Sequence, residues 1–239
     1  MQTQTRPPAV TPERFAQGMS FDEYVHYLGT PENLGREAST GPRVDYSGFL
    51  RQAFEETRLT DDQLAALKWL AAQPNGPARM LVISEDWSSD CRRDVPTFAR
   101  IAAEVGLELR IFNRDGQHVS TANTPSLADA PDSNADIVAE FLNHKNGQTW
   151  QSIPVCAFFS AQLEYLYHFT EYPVIYDKDR VVVQNIRAPK PGEAPDQTRA
   201  RSDREFGELM RSPFWRVWAS ATVDEIISAL HRKAVLGVV

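Results

Sequence analysis

The order of the predicted elements indicates an α/β protein whose central mixed sheet is flanked by helices. Short apolar or alternating runs predict strands, and runs with apolar residues every three or four positions predict helices. In chain order these are a strand at 80–83, a helix at 95–105, a strand at 107–112, a helix at 135–144 and a hairpin of strands at 155–159 and 163–169. A β-α-β-α-β-β order of this kind is typical of a sheet enclosed between layers of helices.

Composition limits the functions that the chain can have. It has 239 residues, a net charge of −7, an apolar fraction of 42% and a charged fraction of 24%, as in soluble globular proteins. The negative charge argues against a nucleic-acid partner. No apolar run approaches the roughly 18 residues that span a bilayer, so no membrane partner is expected. The N-terminus lacks the apolar core of a secretory signal, and two cysteines are too few for a disulfide framework, so a cytoplasmic location is expected.

Four segments follow from the pattern along the chain. Residues 1–11 are rich in proline and threonine and are predicted to be disordered. A helical extension is predicted over 12–76, the α/β core over 77–172, and a C-terminal helical segment packed on the core over 173–239. Within that last segment, 174–186 fits either a hairpin or a helix, 189–195 fits a linker, and 206–218 and 223–233 fit helices.

The most informative stretch follows the first strand of the core, where Trp87-Ser88-Ser89-Asp90-Cys91 leads into a helical pattern. A strand that runs straight into a helix puts Ser88 at the helix N-terminus and Cys91 about one turn later. A helix N-terminus stabilises negative charge, and the thiolate is the reactive form of cysteine. The pattern therefore marks Ser88 and Cys91 as candidate catalytic residues.

This stretch resembles the active-site segment of the thioredoxin superfamily, whose motif is Trp-Cys-x-x-Cys. Pro96 within the helix and Ile153-Pro154 before a strand match the same pattern. The wording Glu-Asp-Trp-x-x-Asp-Cys-Arg-Arg-Asp-Val-Pro is similar to a bacterial branch with an N-terminal helical extension. The resemblance covers roughly residues 60–170 and implies a thioredoxin-like fold.

The resemblance also implies a substrate site. In this superfamily a cis-proline faces the motif and frees the backbone of the preceding residue to pair with an extended peptide. The residues that this assigns to substrate binding are Trp87, Ser89, Asp90, Ile153 and Pro154. The implied partner is a protein or small-molecule thiol or disulfide.

Three departures from the superfamily pattern bear on activity. Ser88 replaces the first cysteine, and serine cannot form a disulfide, so cycling between a dithiol and an internal disulfide is excluded. Val82 stands where a buried acid is expected to accept the proton of the second cysteine. The polar loop over 113–133 is longer than in thioredoxin, and we expect it to be mobile or to lie near the motif.

Three functions remain open, and so does the question of whether the chain is an enzyme. The first is a thiol–disulfide redox protein that acts as a monothiol through Cys91, favoured by Arg92 and Arg93 nearby, with an external thiol as resolver. The second is a non-catalytic module that binds an extended peptide between Ser88 and Pro154. The third is a transferase-like site in which the Ser88 hydroxyl donates to a low-molecular-weight thiol; no other cofactor is predicted.

Each candidate residue also has an interpretation without chemistry. Cys91 fits a buried, inert thiol, and Ser88 fits a helix N-cap or an introduced replacement for cysteine that prevents oxidation. Cys156 fits the core, and no metal is expected because the five histidines lack ligand spacing. Glu85 and Asp86 are predicted in a solvated turn, and the stripe formed by Phe214, Trp215, Val217 and Trp218 is predicted to pack on the main sheet. The sequence predicts no oligomeric state.

Overall fold

The computed structural model describes residues 7–39 and 41–237. Its N-terminal part consists of five helices: α1 (Pro12–Phe15), α2 (Phe21–Leu28), α3 (Pro31–Leu34), α4 (Ser47–Glu56) and α5 (Asp61–Ala71). Threonine or serine caps four of them, because the side-chain oxygens of Thr11, Ser20, Thr30 and Thr60 accept backbone N–H groups of the first turn. The sequence therefore supplies an N-capping side chain at four of these five helix starts.

A four-stranded mixed sheet forms the centre of the molecule. The elements of this part are β1 (Arg79–Ser84), α6 (Ser89–Val105), β2 (Glu108–Asn113), α7 (Ala135–Ala139), β3 (Asn143–Lys145), β4 (Gln148–Trp150), β5 (Val155–Phe159) and β6 (Tyr165–Thr170). The strand order is β2-β1-β5-β6, with β1 parallel to β2 and antiparallel to β5. Val82, at the middle of β1, pairs with Ile111 and Cys156, and all three are fully buried. The predicted α/β class with a mixed sheet is confirmed.

The C-terminal part is helical and packs on this sheet. It contains a π-helical segment (Asp179–Ile186), α8 (Pro195–Arg211), α9 (Pro213–His231) and a second π-helical segment (Arg232–Leu236). α9 contacts α5, α6 and β6. Of the two alternatives for 174–186, the hairpin is wrong. The predicted linker at 189–195 ends where α8 begins, because Pro195 occupies the first helical position, whose N–H would have no partner in any case.

The helix predicted over 135–144 is too long. α7 ends at Ala139, and a small two-stranded sheet of β3 and β4 follows. Its turn is Asn146-Gly147, with φ values of 55° and 72°. This dipeptide favours the two positive φ values of a type I′ hairpin turn, and it is the sequence signal that the helix prediction overlooked.

The core consists of one large apolar cluster and one small one. The large cluster is centred on β1, β5 and α6, and it includes Val10, which is fully buried. Residues 7–11 therefore differ from the predicted disorder, while residues 1–6 lie outside the described residues. The small cluster contains Tyr176, Val182 and Trp215. The stripe on α9 was expected to pack on the main sheet, but Trp215 and Trp218 pack in this small cluster instead, and Phe214 and Val217 are exposed.

His168 on β6 should make stability dependent on pH. Burial lowers the pKa of His168, so the folded chain binds this proton less readily than the unfolded chain. With respect to His168, the free energy of unfolding is therefore highest above the ordinary histidine pKa of about 6.5. It decreases as the pH falls through and below that value, because the unfolded chain then binds the proton more readily. Urea unfolding at about pH 7.5 and pH 5 should show a smaller pH-dependent loss for His168→Gln than for the unmodified chain. His118→Gln, at a side chain that is 92% exposed, is the control and should retain the full loss.

Candidate functional site

Ser88 caps the helix that carries the motif. Its backbone is extended, and its Oγ accepts the backbone N–H of Cys91 at 3.4 Å. The residue is 9% exposed. The N-cap role considered from the sequence is therefore present, and the Ser88 hydroxyl is also a hydrogen-bond partner of the Cys91 thiol.

Cys91 lies beneath the surface. It is 1% exposed, and its Sγ accepts the backbone N–H of Glu85 at 3.5 Å. Burial raises the pKa of the Cys91 thiol to about 11, although the Ser84 hydroxyl and the Glu85 N–H oppose that shift. The thiol is therefore protonated at neutral pH. Of the two interpretations of Cys91 drawn from the sequence, a reactive thiol and a buried one, the second agrees with its burial.

The two arginines expected to favour a thiolate have other partners. The Arg92 guanidinium donates to the carbonyl oxygens of Asp86 and Trp87 at 2.7 and 3.0 Å. Arg93 pairs with Asp90 at 2.9 Å and with Asp94 at 2.6 Å. Among the hydrogen bonds of the described residues, none joins either guanidinium to the Cys91 sulfur, and burial is the largest influence on the pKa of that thiol.

Cys91 and Cys156 should both react very slowly in the folded chain. Both thiols are buried and their pKa values are raised by burial, so little thiolate forms at neutral pH. Ellman's reagent at pH 8 should label both only after denaturation. Rapid labelling of Cys91 in the folded chain, assigned by mass spectrometry of the peptides, would contradict this expectation and favour the monothiol function.

Glu85 and Asp86 form a buried ion network, so their predicted place in a solvated turn is wrong. Glu85 is fully buried and pairs with Arg36 at 2.7 Å and with Arg43 at 2.8 Å. Asp86 pairs with Arg43 and accepts the side-chain amide of Asn33 at 2.9 Å. All three partners come from the N-terminal extension, which is thereby attached to the turn before the motif.

A second ion network lies on the first turns of α6. Asp90 bridges Arg93 and Lys178, whose Nζ lies 2.5 Å from the carboxylate. The Arg93 guanidinium also lies over the rings of Tyr176 and Trp215, at 5.2 and 5.3 Å from their centroids. The segment after β6 is therefore held to the motif helix by charge as well as by aromatic contact.

A cleft of about 390 Å³, lined by both polar and apolar side chains, opens beside Ser88. Trp87, Ser88 and residues 151–153 line it, together with residues 120–123 of the long loop and Trp150 of β4. The charged side chains that face it are Asp90, Arg114, Glu171 and Lys178.

The structure brings most of the predicted site residues together. Trp87, Ser88, Asp90 and Ile153 line the cleft, and the Ile153–Pro154 peptide bond is cis. Ser89, the first residue of α6, and Cys91 and Pro154 are not among the residues that line the cleft.

Sequence reasoning predicted Asp90 but missed the other three charged side chains of the cleft, Arg114, Glu171 and Lys178. Arg114 follows β2 and lies over the Trp87 ring at 5.0 Å, and Glu171 follows β6. Burial raises the pKa of Glu171, and the nearby Lys178 opposes that shift. The one sequence signal for this part of the cleft was the unusual length of the loop at 113–133. That loop was expected near the motif, and it contributes residues 120–123 to the lining.

Two further classes of site were searched for in the described part of the chain. Within residues 7–39 and 41–237, no three His, Cys, Asp or Glu side chains come together as a metal site. None of the helices in the same ranges combines the length and apolarity needed to cross a bilayer.

Comparison with known proteins supports the same class. A family model described as thioredoxin matches residues 46–125, which include β1, the motif and β2. The match supports a place in the thioredoxin-like superfamily. Together with the mixed sheet and its flanking helices, it defines a thioredoxin-like fold with helical N- and C-terminal parts.

Solved structures similar to the chain name no activity. One is a protein of unknown function from Pseudomonas aeruginosa, with 13% identity, a TM-score of 0.49 and coverage of 94% of this chain and 99% of that one. Another is an HIV 4E10 epitope scaffold, with 15% identity, a TM-score of 0.48 and coverage of 92% and 96%. No curated protein matches the chain.

Proposed function

We propose that this chain is a thioredoxin-fold binding protein that holds an extended peptide segment in the cleft beside Ser88, without dithiol chemistry. The observation that carries the proposal is that the motif has a serine at the cleft and a buried thiol away from it. Its cleft-lining position is a serine that caps α6, and its thiol at Cys91 is buried and protonated. A site built in this way binds without exchanging disulfides.

The backbone of Ile153, which lines the same cleft as Ser88, supports a peptide ligand. Among the hydrogen bonds of the described residues, none uses the backbone N–H or C=O of Ile153. Ile153 lines the cleft just before β5, so an extended segment that enters the cleft finds an unpaired backbone edge. Main-chain pairing of this kind supplies affinity, while side-chain pockets supply specificity.

A peptide-display experiment tests the proposal. The folded chain is panned against unstructured random peptides, and the affinity of selected peptides is measured by fluorescence anisotropy. Ala122→Trp should put an indole ring into the cleft that Ala122 lines and lower the affinity about tenfold or more, which is about 1.4 kcal/mol. The matched control is Ala128→Trp, on the same loop but away from the cleft, and it should bind as the unmodified chain does.

Two outcomes would reject peptide binding in this cleft. One is a selection that yields no peptide with measurable affinity. The other is equal loss of affinity in Ala122→Trp and Ala128→Trp. The monothiol redox role and the site for a low-molecular-weight thiol stay predictions, as do the cytoplasmic location and the bacterial origin. Glutathione titration of the unmodified chain and of Ser88→Ala tests the thiol site separately.

A further inference from the structure

A second cavity, larger than the cleft, lies between the N-terminal and C-terminal helices. Its volume is about 620 Å³, and it is enclosed by α4 and the residues after it, by α6, and by α8 and α9. This volume is within the range of small-molecule sites, which is roughly 300–1,000 Å³. The proposed peptide function does not use this cavity. Helices and a loop line it, and strands of the sheet do not.

One part of this cavity is apolar. Leu59, Met210, Trp215 and Val223 line it, and Ala53 and Ala219 leave room between the helices. Such a lining favours the aliphatic part of a ligand, because burial of apolar surface contributes roughly 25 cal/mol per Å².

The same lining also carries cations in excess. Five arginines line the cavity, and Glu56 is its one acidic lining residue. Arg93 and Arg216 are paired with carboxylates. Among the described residues, Arg58, Arg92 and Arg211 line the same space and have no carboxylate within salt-bridge distance; Arg58 and Arg92 donate to backbone carbonyl oxygens instead.

Two buried donors in the lining lack a good acceptor. The Nε1 of Trp215 is buried without a hydrogen-bond partner, and Trp215 is 6% exposed. Arg92, also 6% exposed, directs its Nη2 at the Met210 sulfur at 3.8 Å. A thioether is a weak acceptor, and buried donors are normally satisfied. An oxygen-bearing anion in the cavity would give the Arg92 guanidinium a stronger acceptor than the Met210 sulfur.

We propose that this cavity binds a small amphipathic monoanion, an aliphatic carboxylate whose chain occupies the apolar part and whose head group accepts from the arginines. The net charge of −7 opposes an acidic protein or nucleic acid, so attraction of an anion must be local to this cavity. The helices of the chain itself surround the site, which limits the ligand to a small molecule.

Binding of decanoate to the full chain, followed by isothermal titration calorimetry below the micelle concentration, tests this proposal. Decanol carries the same chain without the charge and should bind at least about tenfold more weakly. Arg211→Ala should weaken decanoate binding about five- to tenfold. Arg199→Ala removes an exposed arginine from the same helix, away from the cavity, and should leave the affinity unchanged.

Filling the cavity tests its apolar part. Ala219→Phe should abolish decanoate binding, while Ala200→Phe, on exposed surface of α8, should not. Ala53→Phe repeats the test from the opposite wall if Ala219→Phe is not folded by circular dichroism. The proposal is overturned if decanoate does not bind, if decanol binds equally well, or if folded cavity-filling variants bind as the unmodified chain does.

Discussion

Replacing Glu85 with alanine is expected to lower the free energy of unfolding by about 3–5 kcal/mol. The reason is that Arg36 and Arg43, whose side chains are 3% and 1% exposed, would remain buried after losing this carboxylate. The backbone N–H of Asp115, which donates to the same carboxylate at 2.9 Å, would also lose its acceptor. Urea unfolding at neutral pH, followed by circular dichroism, measures the change.

A surface pair gives the matched control for this change. Glu108 pairs with Arg79 at 3.1 Å, but the two side chains are 42% and 31% exposed. Exposed ion pairs contribute about 0–1 kcal/mol, so Glu108→Ala should change stability by no more than that. Equal effects of Glu85→Ala and Glu108→Ala would mean that the buried network contributes no more than a surface pair.

Ser88→Cys is expected to reduce disulfides catalytically, whereas the unmodified chain is expected to stay at the background rate. The substitution puts a thiol at the helix N-terminus, where its pKa is lowered, one turn from the thiol of Cys91. The lost serine cap costs about 1 kcal/mol, which a folded domain tolerates. Insulin reduction in the presence of dithiothreitol should rise from the background rate to a catalysed rate.

Two variants show whether position 88 is responsible for that gain. Ser89→Cys adds a thiol one residue further on and should stay at the background rate. Combining Ser88→Cys with Cys91→Ser removes the resolving thiol and should abolish turnover. If Ser88→Cys itself is inactive, the site lacks more than its nucleophile, and Val82, which stands where the superfamily has a buried acid, is the first position to change.

The parts of the fold that the sequence predicts well are those set by neighbouring residues. β1, α6 and the strands β5 and β6 follow from local apolar patterns, and the fully buried Cys156 follows from its place in an apolar strand. The missed hairpin of β3 and β4 is also local, since Asn146-Gly147 marks its turn. These elements depend on backbone propensity and on the period of apolar residues.

The environment of the site could not be predicted because its partners are distant in sequence. In the sequence, Glu85 and Asp86 look like any pair of acids in an exposed turn. In the folded chain, Arg43 pairs with both, and it lies more than forty residues earlier. Lys178 reaches Asp90 from a segment whose structure the sequence left open. Nothing in either local pattern indicates burial or charge pairing, so only the folded chain shows that the motif is surrounded by ion pairs.

The buried network at Glu85 determines where this protein can be cut. A fragment that begins at residue 77 would contain the whole sheet but would lack Asn33, Arg36 and Arg43, which surround the carboxylates of Glu85 and Asp86. Such a fragment must either protonate those acids or open the turn before the motif to water, and both disrupt the start of α6. The helical extension thus supplies side chains that the sheet domain needs to keep these acids buried. A minimal stable fragment has to begin upstream of Asn33.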